Sequence, residues 1–229
     1  MPGATPGDGL DRAVAHLNDG GLLLLPTDTV YGIGAAAADS AAVARLLAAK
    51  GRGRQMPPPV LIASVADLTG LVARLPAAAR DLAEAFWPGG LTLVLPVAEA
   101  LGWDLGETEG TIAVRMPDHP LALKLLRRSG PLAVTSANRT GRPPATDAAQ
   151  AAAAFGDRAE PGGDILLLDG GPTPGPVPST IVSVAGDDEA PRLLREGVLS
   201  AEVLEKIVGP LRPGTRPAKE HRRPTGVGR

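Results

Sequence analysis

Lys50 and Arg52 flank Gly51 in the stretch LLAAKGRGR, and two cations around a glycine suit one of two purposes. An ammonium and a guanidinium stabilise charge on a transferring phosphoryl group, while glycine lets backbone approach it closely. The same three residues suit a helix end, where glycine adopts the left-handed conformation and cations meet the negative end of the dipole. Arg54, two residues on, reads as a solvated surface charge. Arg115 is the second cation in an unusual place. It lies in the alternating strand TIAVRM, where an unpaired guanidinium would be costly to bury. An ion-pair partner would relieve that cost. Thr111, four residues earlier, falls on the same face of that strand. Ser136 and Asn138 follow the apolar LAVT, and Thr27, Asp28, Thr29 and Tyr31 follow LLLLP. Ligands in α/β sheets commonly bind just beyond strand ends. Both sets also fit the plainer role of ending a strand and opening a turn. Arg195, in LLREG, has Glu196 beside it as a simple ion-pair partner.

Several function classes are excluded. The chain has no cysteine, which removes disulfides, thiolate metal sites and a cysteine nucleophile. His16, His119 and His221 lack zinc-hydrolase spacing. Walker A, dinucleotide-fingerprint and G-x-S-x-G sequences are absent. Aromatic residues make up 2% of the chain, too few for a stacking platform that binds single-stranded nucleic acid. No apolar run approaches the ~18 residues of a membrane span. The amino terminus has neither the basic start nor the apolar segment of a signal peptide, so the expected location is cytoplasmic. The formal net charge is −2, but six basic residues lie from Arg212 onward, leaving the preceding body near −7.

The elements that must position these residues follow from apolar periodicity. Helices are expected over Asp8–Asp19, from Asp39 or Ser40 to Lys50, over Ala66–Leu75 and Pro76–Phe86, from Asp118 to about Arg128, over Thr146–Phe155 and over Ser200–Val208. Strands are expected at Leu22–Leu25, Val60–Ala63, Leu91–Leu95, Thr111–Met116, Leu132–Thr135, Ile165–Leu168, Thr180–Val184 and Arg192–Leu194. This pattern fits one mixed α/β domain with a twisted sheet over residues 8–209. Residues 210–229, rich in proline, glycine and charge, read as a basic disordered tail.

PTDTVYG at Pro26–Gly32, Lys50-Gly51-Arg52, TIAVRMPDHP at Thr111–Pro120, Ser136-Ala137-Asn138, PSTIV at Pro178–Val182 and LLREG at Leu193–Gly197 together resemble the YrdC-like family of L-threonylcarbamoyladenylate synthases. The resemblance covers roughly residues 10 to 208. It implies a single YrdC-like domain, a twisted mixed sheet with flanking helices and a concave ligand cavity. It also implies the reaction of L-threonine, bicarbonate and ATP to L-threonylcarbamoyladenylate and pyrophosphate, feeding threonylcarbamoyladenosine formation at tRNA position 37. By that resemblance Lys50 and Arg52 are catalytic and hold phosphate. Thr29, Tyr31, Arg115, Thr135 and Ser179 bind L-threonine, with Arg115 on its carboxylate. Thr111, Ser136, Asn138 and Arg195 join Lys50 and Arg52 at ATP. Mg2+ is expected to travel with ATP rather than in a protein cage. The expected partners beyond the substrates are tRNA and a downstream threonylcarbamoyl-transferase complex. Two positions depart from the family pattern: Met56 and Pro144 stand where polar nucleotide contacts are common. The additional carboxy-terminal domain of longer members is not expected. A non-catalytic module for tRNA or double-stranded RNA, and a relative that adenylates another carbamate, are the alternatives.

Overall fold

The four consecutive leucines form β1 (Leu22–Leu25), each at most 1% exposed. A strand alternates its side chains between two faces, and here both faces are covered. Leu22 and Leu24 enter one apolar core, Leu23 and Leu25 the other. The run therefore has no solvent side and no polar residue.

The computed structural model describes residues 6–139, 141–160, 162–186 and 190–214. Nine further strands follow among them: β2 (Gly32–Ala36), β3 (Val60–Leu61), β4 (Leu91–Pro96), β5 (Thr111–Arg115), β6 (Leu132–Ser136), β7 (Ile165–Leu167), β8 (Thr180–Ser183), β9 (Arg192–Arg195) and β10 (Arg212–Pro213). They form one mixed sheet in the order β10-β9-β8-β4-β5-β3-β6-β2-β1-β7. Flanking it are α1 (Pro6–Asn18), α2 (Ser40–Ala49), α3 (Ala77–Phe86), α4 (Pro120–Ser129), α5 (Ala148–Ala153) and α6 (Ala201–Val208).

Leu10, Ala13 and Leu17 of α1, with Ala122, Leu125 and Leu126 of α4, pack on Leu23, Leu25, Leu61, Leu132 and Val134. Val43 and Leu46 of α2 and Leu82 of α3 lie in the opposite core, with Leu22, Val60, Leu91, Leu93 and Val114. No residue of β4, β5 or β8 joins the α1–α4 core. On that half of the sheet the alternate residues, Thr92, Val94, Thr111, Ala113 and Ile181, line an open concavity instead. The uneven covering of one face creates the site.

Four elements differ from the expectation. Sequence periodicity misses β2, because Gly-Ile-Gly-Ala-Ala has neither branched residues nor alternation to mark it. The strand exists because Gly32 and Gly34 let β6 approach: a Cβ at either would meet a Val134 methyl at 2.6 or 2.8 Å. The helix expected over Ala66–Leu75 is only a 3-10 turn, Val65–Leu68. The Asp67 carboxylate accepts from the Ala63 and Ser64 N–H groups, and Gly70 then takes a left-handed φ of 86°. Asp118 is not the cap of α4. Pro120 occupies the first turn, so His119 becomes the cap and its Nδ1 accepts from the Ala122 N–H at 3.4 Å. Finally, the described chain does not end its pairing at Gly209. Arg212–Pro213 runs parallel to β9, and the Gly214 N–H donates to Leu193 O at 2.9 Å. The expectation for residues 215–229 lies outside the described residues.

Candidate active site

α2 ends in a reversal that brings the Lys50-Gly51-Arg52 motif onto β6. Asp39 caps its start, accepting from the Ala41 and Ala42 N–H groups at 2.9 and 3.0 Å. At its end the Gly51 N–H donates to Ala48 O and the Arg52 N–H to Leu47 O, both at 3.0 Å, around a Gly51 φ of 60°. These paired bonds are the Schellman closure, and glycine adopts the required conformation without a Cβ penalty. The helix-cap reading of the motif is therefore correct, and it does not exclude the site reading. The closure turns Lys50 and Arg52 back toward the end of β6.

Arg52 donates through Nη1 to Thr135 Oγ1 at 2.8 Å. Its Nε is buried without a hydrogen-bond partner. An unsatisfied charged donor is expensive, and burial lowers the Arg52 pKa. Arg115 is 6% exposed and held on three sides: Nε to Gly89 O at 3.0 Å, Nη1 to Thr29 Oγ1 at 3.0 Å and Nη2 to the Asp28 carboxylate at 2.6 Å. Two of its five N–H donors remain after those contacts. Arg195 does not pair with Glu196; it donates through Nε and Nη2 to Ser179 O, at 3.3 and 2.8 Å. Its pKa is lowered by burial and by the nearby charges of Arg115 and Arg52. Three guanidinium groups thus converge, with Asp28 as the carboxylate bonded to one of them.

These groups surround a cleft of about 520 Å³. Thr29, Tyr31, Arg52, Thr111, Arg115, Thr135, Ser136, Asn138, Ser179 and Arg195 all line it. Arg195 arrives there through a bulge. Ile181 pairs with Arg195 and Val182 with Leu193, so Leu194 is the extra residue. Strict alternation would have sent Arg195 to the Leu193 face, and the bulge re-aims it. Met56 and Pro144, the two departures, also sit in the wall. Tyr31 is fully buried; its hydroxyl donates to Gly171 O at 2.8 Å and lies 3.2 Å from an Asp169 carboxylate oxygen.

Lys50 is the one expected site residue outside the lining. It is 4% exposed, and its ammonium donates to Ser136 O at 2.7 Å, to Asn138 O and to Asn138 Oδ1 at 3.2 Å. Burial, then the charge of Arg52, lowers its pKa to about 8. Arg54 is exposed and paired with Asp104 at 2.7 Å.

Sequence reasoning overlooked Thr92 and the contact made by Asp28. Thr92 is 1% exposed and its hydroxyl lies 2.9 Å from Ser179 Oγ. It is the polar residue opposite the leucines in LTLVL, a pattern that marks a strand face turned toward something other than core. Asp28 finds Arg115 across 87 residues of sequence, a pairing that spacing does not announce.

A family model described as "Telomere recombination", for Sua5, YciO and YrdC, matches residues 15–197. The chain belongs to the Sua5/YciO/YrdC family. Among its members, a Mycobacterium tuberculosis protein provisionally named threonylcarbamoyl-AMP synthase is 49% identical over 88% of this chain and 89% of its own. The Bacillus subtilis threonylcarbamoyl-AMP synthase is 42% identical over 87% of this chain. Pyrococcus abyssi Sua5, solved as a complex with L-threonine, superposes with a TM-score of 0.83 at 39% identity, over 93% of this chain. The chain spans 56% of the Bacillus protein and 60% of the Pyrococcus chain. The mixed α/β sheet and its flanking helices are the Sua5/YrdC fold.

Proposed function

We propose that this member of the family is an L-threonylcarbamoyladenylate synthase. It converts L-threonine, bicarbonate and ATP into L-threonylcarbamoyladenylate, pyrophosphate and water. The observation that carries this reading is the buried, unpartnered Nε of Arg52 in a cleft where Arg52, Arg115 and Arg195 converge. Such a site is incomplete without anions, and these substrates supply a carboxylate, a carbamate and a triphosphate.

The threonine amine takes up CO2 to become a carbamate, and a carbamate oxygen attacks the α-phosphorus with pyrophosphate leaving. That nucleophile is already anionic, so the protein's task is positioning and electrostatic stabilisation. Arg115, oriented by Asp28, Thr29 and Gly89, offers its remaining N–H donors to the threonine carboxylate. Ser179, Thr135 and Thr29 stand around it, with Tyr31 behind. Arg52 and Arg195 meet the phosphates, whose charge grows on the leaving oxygen, and Thr111, Ser136 and Asn138 complete the nucleotide side. Mg2+ would be carried by the triphosphate that Arg52 and Arg195 meet, and would share with them in neutralising its charge. Among the described residues, no group of three or more His, Asp or Glu could hold a metal ion. The product would pass to a transferase acting on tRNA position 37.

Among the described residues, no helix is long and apolar enough to cross a membrane. We place the enzyme in the cytoplasm, where ATP and tRNA are found.

Calorimetric titration tests the two ends of the site. L-threonine should bind the wild-type protein and bind Arg115→Ala far more weakly, while inorganic pyrophosphate binds both and is weakened by Arg52→Met. Threonine affinity unaffected by Arg115→Ala would remove the amino-acid half of the reading.

A further inference from the structure

We propose that Lys50 is a positioning residue: its ammonium ties the 136–138 segment to the end of α2 and acts on substrate only through that segment. This rests on the synthase reading for its consequence, but not for its geometry. Lys50 has three N–H donors. Among the described residues, three acceptors on one segment receive from that ammonium: the carbonyls of Ser136 and Asn138 and the Asn138 amide oxygen. The Asn138 side chain continues the connection, donating through Nδ2 to Arg142 O at 2.5 Å. One buried cation thereby links the end of α2, the end of β6 and the turn before Pro143 and Pro144. Ser136, Asn138, Arg142 and Pro144 all line the cleft, whereas Lys50 does not.

Its motif partner behaves differently. Arg52 lines the cleft and has a buried donor without a partner, while the donors of Lys50 are directed to backbone and amide oxygens. The two cations of the motif therefore divide the work. Arg52 offers charge to the ligand, and Lys50 holds the wall that shapes the ligand's seat. Charge-assisted bonds to carbonyls are the stronger kind, which suits a short connection that must resist loosening.

Hydrogen–deuterium exchange on the nucleotide-free protein tests this without reference to catalysis. In Lys50→Met, which keeps the aliphatic stem, the amides of Ala137, Asn138 and Arg142 should exchange at least about tenfold faster, the factor implied by losing one charged hydrogen bond. The β1 amides of Leu23 and Leu24 should be unchanged. Asn138→Ala, which removes the amide contacts but leaves both carbonyls bonded to Lys50, should speed exchange at Arg142, and adding it to Lys50→Met should change Arg142 little further. Arg52→Met should leave these amides near their wild-type rates. If Lys50→Met exchanges like wild type in this segment while pyrophosphate release collapses, Lys50 is a direct phosphate ligand and the proposal fails. If Lys50→Met fails to fold, Asn138→Ala decides: wild-type exchange at Arg142 would overturn the connection. A protein that shows the exchange signature but never makes pyrophosphate would refute the synthase reading and leave the positioning role standing.

Discussion

At the scale of single residues, the site is a set of buried cations whose partners decide what each can do. Arg115 and Asp28 are 7% and 15% exposed at their side chains, so removing either charge strands the other in a low-dielectric place. Asp28→Asn should cost about 3–5 kcal/mol of stability. Urea denaturation measures this, and a loss below 1 kcal/mol would mean that the pair is screened by solvent. Arg115→Ala should weaken threonine binding by about 2–5 kcal/mol. Arg115→Lys should recover only part, because an ammonium lacks the planar fork. Lys50 supplies a pH test. Its folded pKa of about 8 lies below its ordinary value of 10.5, so between those values the unfolded chain binds the extra proton. Stability relative to Lys50→Met should rise with pH across that window, after showing the full burial cost below pH 8. A pH-independent difference between the two proteins would contradict it. The residue types of the site were legible in sequence as misplaced cations and polar strand ends. Their partners were not. Asp28 with Arg115, Thr92 with Ser179 and Lys50 with Asn138 lie more than eighty positions apart, and only the sheet order brings them together.

At the scale of elements, most of the fold follows from apolar periodicity, and the failures have physical causes. β1 was readable because a tetraleucine needs two cores. β2 was not, because its use of glycine is a packing device rather than a propensity. Gly32→Ala should destabilise by about 1–3 kcal/mol through overpacking against Val134. Shortening the neighbour in Gly32→Ala with Val134→Ala should return part of that loss, and a purely additive double variant would show that the two do not touch. The Leu194 bulge was likewise invisible, since alternation alone assigns Arg195 to the wrong face. The Schellman closure of α2 could be read from Lys50-Gly51-Arg52. What sequence left open was whether a helix cap excludes a site, and here the cap brings both cations onto the end of β6.

At the scale of the whole molecule, one half of a sheet face is covered by α1 and α4 and the other half is left as a cleft, so the fold and the site have a single origin. The sheet also runs further than its composition suggests. A chain ending at Gly214 should be more stable than one ending at Gly209, because the shorter chain loses β10 and the partly buried Leu211. Equal melting temperatures would make that pairing energetically idle. The central claim is that a cationic, anion-hungry cleft performs adenylyl transfer onto a carbamate of threonine. Its most direct measurement is pyrophosphate release by the full chain under omission of each substrate, with the nucleotide product identified by mass. Release should require L-threonine, bicarbonate and ATP together and should yield threonylcarbamoyl-AMP. Equal release without an amino acid, or none with all three present, would contradict it.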